Sequence, residues 1–347
     1  MPDVIVVGGG PAGSCAALRC AQMGLKAVLI ERESFPRNRP GESLHPGFEK
    51  VLDELGLLAQ VVNSGFLRFD GNWVTRAGAT TFEPFPNSGC GLQASRPEFD
   101  ALLLECARNA GVEILQPGRA MAPLLDGGKV VGAETSAGRM EAAFVIDAAG
   151  RGNWLTHHLN LEIETRSPRW IAHFAYLEGE CPIRDDNPGF FIDDEGWTWT
   201  VRVRPGLYNW ARLNIYGNAI AADFVPEELR GLRVVSPVQS ADVTWRFIPQ
   251  CAGDGYFLCG DAAAVLDPTS SHGVVKAITS GFLAADRVTQ VIKEGRDPGE
   301  AADEFRRIFT DWFAYDASRL KLDYGRMFGE RIATRLNCLS EASPDDR

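Results

Sequence analysis

The sequence predicts an α/β protein in which a Rossmann-type dinucleotide-binding domain is joined to a second domain built on an antiparallel β-sheet. Three observations carry that prediction. The apolar run Val4-Ile5-Val6-Val7 leads into Gly8-Gly9-Gly10-Pro11-Ala12-Gly13 and then into a helix-patterned segment through Leu18 and Ala21. Two further apolar runs end in short polar motifs, Asp147-Ala148-Ala149-Gly150 and Gly260-Asp261. From about 166 to 248 the pattern changes to period two, as half-buried strands require.

The first element follows from backbone physics. Gly8 suits a tight turn after the strand, Gly10 lets the chain approach a pyrophosphate, and Gly13 allows helix and strand to pack closely. The unpaired N–H groups at the start of that helix would face the phosphates. A second strand, Ala27-Val28-Leu29-Ile30, ends in Glu31, at about the ~20-residue offset where an acid meets the adenosine ribose. This specifies a dinucleotide site without separating NAD from FAD.

The three motifs together resemble the flavoprotein monooxygenase superfamily typified by p-hydroxybenzoate hydroxylase, which also holds geranylgeranyl reductases and flavin-dependent halogenases. The likeness runs from residue 4 to about 290. It implies an FAD-binding Rossmann-type domain, with Asp261 on the ribityl chain and Ala149 and Gly150 near the flavin and adenine. Arg96, opening a helix before Pro97, resembles a further cofactor contact. Gly8, Gly10, Pro11, Ala12, Gly13, Glu31, Arg32, Arg39, Ser43, Gly260, Pro268, Gly273 and Val274 complete the implied cofactor set.

After Pro268 and the Ser270-Ser271 pair, suited to capping, Gly273 begins a helical pattern through Val275, Ile278, Phe282 and Ala285. In the superfamily such a helix start faces the isoalloxazine, where its dipole favours negative charge on a reduced flavin. The loop from Pro36 to Pro46, rich in breakers, lies where relatives place a segment beside the ring system. Its Arg39, Glu42 and His45 offer charge and proton transfer. With His272 at the mouth of the flavin-facing helix, Glu42 and His45 are the candidate catalytic residues, whereas His157 and His158 read as surface groups.

The period-two region is where a substrate is expected. Trp197-Thr198-Trp199-Thr200-Val201-Arg202-Val203-Arg204 alternates apolar and polar residues, and after Pro205-Gly206 the next strand puts Tyr208, Trp210, Arg212, Asn214 and Tyr216 on one face. Each ring alone is a good strand former and core filler. As a group, Trp197, Trp199, Tyr208 and Trp210 suggest an apolar pocket for an aromatic substrate.

The domain plan is discontinuous. Residues 1–65, 95–165 and 249–295 form the FAD-binding domain, 66–94 and 166–248 the substrate domain, and 296–347 a helical C-terminal region. With 347 residues the chain can bury a large core, and 45% hydrophobic with 23% charged residues is ordinary for a globular protein. A formal net charge of -11 argues against nucleic acid or an anionic membrane surface as partner. No apolar run approaches the ~20 residues of a membrane span, and no charged leader precedes Val4, so a cytoplasmic protein is expected. The eight cysteines show no C-x-x-C and no pairing with histidine that would suit a metal.

The expected activity is that of an FAD-dependent oxidoreductase, a monooxygenase hydroxylating an aromatic substrate. Pro40-Gly41-Glu42-Ser43 and Ser270-Ser271-His272-Gly273-Val274-Val275-Lys276 resemble a narrower group, the flavoproteins that mature tryptophan-derived quinone cofactors by hydroxylating a tryptophan side chain of a partner protein. Halogenation is an alternative. Trp197-Thr198-Trp199 resembles the start of the halogenase W-x-W-x-I-P signature, but Val201 and Arg202 replace its last two residues. Halogenases also use a lysine near the substrate, and 61–95 contains none. Other readings are a double-bond reductase of the geranylgeranyl reductase type and a non-enzymatic flavoprotein. Electrons would come from transient NAD(P)H or from a separate flavin reductase, since no second nucleotide motif is present.

Overall fold

In the computed structural model, which describes residues 1–37 and 39–341 and their side chains except those of Ser88 and 338–341, five short strands lie parallel in one sheet. Their order is Tyr256–Leu258, Phe144–Asp147, Val4–Val7, Ala27–Ile30 and Glu113–Leu115, with Ala252–Gly253 added antiparallel at one edge. All four residues of each of the three central strands are buried, as strands covered on both faces must be. The register pairs Val7 with both Ile30 and Asp147, and Asp147 with Leu258. These strands therefore end level. The three motifs, far apart in sequence, leave the sheet side by side at its carboxyl edge, where open α/β sheets bind ligands.

Helix Pro11–Gln22 follows the first strand, and the long helix Gly273–Glu294 lies directly against it. Gly281 makes that approach possible, because a Cβ there would collide with the Ala12 carbonyl oxygen. A three-stranded antiparallel sheet of Ala120–Asp126, Lys129–Thr135 and Gly138–Glu141 precedes the Phe144 strand.

The second large sheet runs Arg233–Val234, Ile171–Glu178, Leu207–Asn214, Gly196–Arg204, Gly189–Asp193, Gly71–Arg76 and Ala79–Pro84, with Gln239–Asp242 beside the Ile171 strand. It departs from the purely antiparallel expectation at one seam. Gly189–Asp193 and Gly71–Arg76 pair parallel, because residues 71–84 reach this sheet from an earlier part of the chain. Their neighbour Gly91–Gln93 pairs instead with Leu67–Phe69 on one side and Ser43–Leu44 on the other, fastening the loop after Ile30 to a small sheet of its own.

The loop after Ile30 leads into two helices, Phe48–Glu54 and Leu58–Asn63. One local expectation changes. Ser270 and Ser271 do not cap helix Gly273–Glu294; its N-cap is His272 without a side-chain cap, Ser271 sits in the left-handed region at φ 53°, and Asp267 caps the preceding single turn. The C-terminal region forms helices Pro298–Phe328 and Glu330–Glu341, and 342–347 lie outside the described residues, as does the side chain of Cys338. Among the described residues no helix is long and apolar enough to cross a membrane.

Candidate functional site

At the carboxyl edge of the parallel sheet the glycines divide into two kinds. Gly8 has φ 104°, and a Cβ on it or on Gly13 would collide with protein backbone, at Ala148 and Gly8 respectively. Those two are required by the fold. At Gly10 a Cβ would meet only the tip of Arg37, at 3.3 Å from Nη2. Nothing in the protein demands glycine there, and the helix behind it starts at Pro11 with no side-chain cap, so the open approach fits a pyrophosphate.

Arg37 strengthens that fit. Its Nε is buried without a hydrogen-bond partner, its Nη2 lies 3.5 Å from Asp100 Oδ2, and burial lowers its pKa against the opposing pull of Asp100 and Glu31. A buried guanidinium with an unused N–H beside a glycine loop suits an anion. The expected set omitted Arg37, although it stands in the breaker-rich loop; a cation among prolines just after the acid-ended second strand was the available signal.

Glu31, at the end of the second strand, is buried. Its carboxylate accepts from Gly9 N (2.7 Å) and Glu33 N (2.7 Å), locking the glycine loop to the strand end. Asp147 is fully buried and turned inward, accepting from Ala149 N at 2.9 Å and Leu155 N at 2.7 Å. Burial raises its pKa to about 6. It shapes the turn so that Ala149 and Gly150 present backbone toward the glycine loop. Asp261 is the accessible acid of the cluster, its Oδ2 accepting from Arg151 Nε at 3.0 Å. Gly260 beneath it has φ 56° and donates its N–H to Ser280 Oγ at 2.9 Å, so helix Gly273–Glu294 holds the Gly-Asp turn. Arg151 directly follows Gly150 and was missed because nothing local links it to residue 261.

Arg96 is buried and already engaged, donating to both Asp100 oxygens (2.8 and 3.1 Å) and to the Pro40 carbonyl (2.8 Å). It braces the 36–46 loop. Arg39 pairs with Glu33, while Arg32 and Pro268 are exposed. Gly273 and Val274 open the long helix as expected.

The loop and that helix converge. His45 and His272 meet with ring centroids 5.5 Å apart, and Phe85 stands 5.3 Å from His45 on another side. These rings border a cavity lined by Ser43, His45, Phe69, Asn72, Phe85, Trp199 and Ser271. His45 Nδ1 lies 2.8 Å from the Pro46 carbonyl, which only accepts, so Nδ1 carries the hydrogen in that contact. His272 is pushed down to about 4, by burial first and then by the charges of His45, Lys276 and Arg319. Glu42, buried, accepts from Tyr176 Oη and, at 2.9 Å, from Gly41 N; burial raises its pKa. Tyr176, from the second sheet, had no sequence signal.

Trp199 is the one ring of the expected four that lines this cavity. Trp197 is buried in the main core and donates from Nε1 to Tyr324 Oη at 3.1 Å. Tyr208 and Trp210 are on the opposite face, because the register pairs Thr200 with Trp210 and Arg202 with Tyr208. There they pack with Ala175, Cys181 and Leu229. The single four-ring pocket is therefore corrected: cross-strand pairing, which alternation within a strand does not reveal, separates the rings.

A second cavity, small and open to solvent, borders the other side of the same helix start. The Gly260-Asp261 pair, Ala264, Leu266, Ser270, Gly273 and Lys276 meet Phe309, Trp312 and Phe313 of the C-terminal helix there.

Comparison with known proteins agrees with this geometry. Residues 3–36 match the family model described as FAD dependent oxidoreductase. The chain is 29% identical over 330 residues to a 1H-pyrrole-2-carbonyl-[peptidyl-carrier protein] brominase of Pseudoalteromonas luteoviolacea, covering 85% of this chain and 79% of that protein. It is 28% identical to a tryptophan 2-halogenase of Chondromyces crocatus, covering 89% of this chain but only 65% of the relative's length. Among solved structures, a triple mutant of the flavin-dependent brominase Bmp2 superposes with a TM-score of 0.82 at 27% identity, over 98% of this chain and 93% of that one. A geranylgeranyl bacteriochlorophyll reductase-like protein of Thermoplasma acidophilum shares the fold, with a TM-score of 0.79 at 22% identity over 99% of this chain and 89% of that one. The expected kinship with flavoproteins that mature tryptophan-derived quinones finds no support among these proteins, which are halogenases and a reductase-like protein. The chain is an FAD-dependent oxidoreductase, an enzyme similar to the flavin-dependent halogenases.

Proposed function

We propose that this enzyme halogenates an aromatic ring, using FAD, molecular oxygen and a halide ion. The observation that carries the reading is similarity to halogenases over 85% and 89% of the chain, in a molecule whose flavin-facing helix begins between two cavities with aromatic walls. This replaces hydroxylation of a tryptophan in a partner protein as the preferred activity.

When bound, reduced FAD supplies the two electrons that activate O2. The chain's own residues supply the rest. Gly10, Arg37 and the uncapped start of helix Pro11–Gln22 would take the pyrophosphate; Asp261 would accept from ribityl hydroxyls; Gly273 and Val274 would present the helix start to the ring system. Phe69, Phe85 and Trp199 on one side, and Phe309, Trp312 and Phe313 on the other, would keep water from the reacting atoms. A ring under the sheet would meet His45 Nε2, which can take a proton; a ring under the C-terminal helix would meet the Lys276 ammonium. Glu42, held by Tyr176, would keep the 36–46 loop seated, with Ser43 beside it.

Hydroxylation is kept as a second reading, because 61–95 contains no lysine and Arg202 departs from the halogenase signature. One experiment separates the two. The purified enzyme, supplied with a flavin reductase, NADH, O2 and bromide, is offered a panel of indoles, pyrroles and phenols. Brominated product is expected. Oxygen from labelled O2 in the ring, without bromine, transfers the activity to a hydroxylase. Saturation of a double bond by the reduced enzyme without O2 points to a reductase.

A further inference from the structure

Lysine is an unfavourable choice for the first turn of a helix, where the positive end of the macrodipole already lies. Lys276 is the fourth residue of helix Gly273–Glu294, and its N–H donates to the His272 carbonyl at 2.8 Å to close that turn. Its side chain is largely withdrawn from water and pairs with Asp316, a buried carboxylate on helix Pro298–Phe328. Burial draws its pKa down to about 8, so the ammonium persists at neutral pH. One residue thus carries two penalties, against the dipole and against burial, and a partner from another helix answers them.

The packing gives this cation a direction. Lys276 lines the same small space as Gly260, Asp261 and Gly273, the residues that would hold FAD, and Asp316 does not. The ion pair therefore turns its positive end to the cofactor residues and its negative end to the C-terminal helix. Asp261, the other charged group of that lining, is answered by Arg151. Leu266, Phe309 and Phe313 complete the walls, and apolar walls lower the local dielectric and extend the reach of a charge. That reach is felt at the mouth of the helix: after burial itself, the charges of His45, Lys276 and Arg319 hold the His272 pKa down.

We propose that Lys276 sets the reduction potential of bound FAD, its ammonium favouring the reduced, anionic ring system while Asp316 behind it limits that bias. An external two-electron donor gives the flavin two electrons and the solvent gives it one proton, which leaves one negative charge on the ring system. A cation facing that charge makes the reduced form bind more tightly than the oxidised one, and the potential rises with the ratio of the two affinities. This rests on the assignment of Gly260, Asp261 and Gly273 to FAD, and it holds whether the enzyme halogenates or hydroxylates. It also gives the C-terminal helix a part in the chemistry, as the carrier of the counter-ion.

The FAD-loaded enzyme is reduced without oxygen by xanthine and xanthine oxidase beside a reference dye, and the midpoint potential and the affinity for oxidised FAD are measured for each variant. Lys276→Met removes the cation and leaves Asp316 unanswered. It should lower the preference for reduced over oxidised FAD roughly tenfold or more, a tenfold change being about 30 mV for a two-electron couple. Asp316→Asn should raise the potential, Lys276→Arg should stay near wild type, and the double variant Lys276→Met/Asp316→Asn should fall between the two single ones. A mere tether between helices would be cut by either single substitution and would move both potentials the same way. Shifts of one sign in the two variants, or no shift in Asp316→Asn, overturn the proposal. If Lys276→Met does not fold, Asp316→Asn decides the matter by itself. A wild-type protein that holds no FAD would strike the reading of the cofactor site, and the proposal with it.

Discussion

His45 and His272 meet edge to ring at 5.5 Å, their planes 77° apart. The contact clips the loop after the second strand to the start of the long helix Gly273–Glu294. Each residue has a fixed role in it: His45 is oriented by the Pro46 carbonyl through Nδ1, and His272 is the N-cap of the long helix. Another cation at this point would face Lys276 and Arg319 as well as His45.

Stability should therefore depend on His272 in mildly acidic solution. Its folded pKa, about 4, lies below the usual 6.5, so the unfolded chain takes up the proton first. The stabilisation is present above pH 6.5 and is lost as pH falls from there toward 4. His272→Gln should flatten that part of the profile of urea midpoint against pH. An identical acid-side slope in the variant would assign the loss to other groups.

Gly10 and Gly281 should respond to alanine in opposite ways. At Gly281 the added methyl meets the Ala12 carbonyl and drives two packed helices apart, an overpacking cost of about 1–3 kcal/mol. At Gly10 the same methyl meets only the mobile end of Arg37. Gly10→Ala apoprotein should melt within about 0.5 kcal/mol of wild type while losing FAD. Differential scanning calorimetry with flavin absorbance checks both, and normal FAD retention by Gly10→Ala would count against pyrophosphate at that glycine.

Half-buried Tyr176 and buried Glu42 tie the second sheet to the 36–46 loop. In Tyr176→Phe, Glu42 loses a donor while staying buried, at a cost of about 1.5–3 kcal/mol, and its pKa should climb further. Chemical denaturation gives the stability change. A loss of comparable size in Tyr176→Phe on a Glu42→Gln background would show that the pair is not what carries it.

What the sequence disclosed follows from how local each feature is. Gly8, Gly13 and Gly260 are dictated by backbone geometry within a few residues, and Glu31 by the length of a strand, so the cradle was legible. Trp199 could not be told from Trp210, because alternation fixes two faces and only the pairing of Thr200 with Trp210 says that the rings diverge. Phe309, Trp312 and Phe313 read as the core stripe of a helix. That they face Lys276 and Asp261 depends on how that helix returns over the long one, which no short window contains. Tyr176 and Arg151 gain meaning only through partners more than a hundred residues away.

Asp261 offers the sharpest separation of binding from folding. Its pairing with Arg151 leaves 40% of the aspartate and 35% of the arginine side chain exposed, and such pairs contribute at most about 1 kcal/mol to stability. Toward FAD the same carboxylate would accept charge-assisted hydrogen bonds from ribityl hydroxyls, each worth roughly 1.5–3 kcal/mol. Asp261→Ala should hence unfold almost as wild type without cofactor, yet bind FAD about 10- to 100-fold more weakly, a factor of ten being about 1.4 kcal/mol. Flavin fluorescence titration of the apoprotein measures the affinity and a thermal melt of the same preparation measures the fold. Unchanged affinity would remove Asp261 from the cofactor site, and a large drop in apoprotein stability would mean that the Gly260-Asp261 turn is held through its side chain rather than through Ser280.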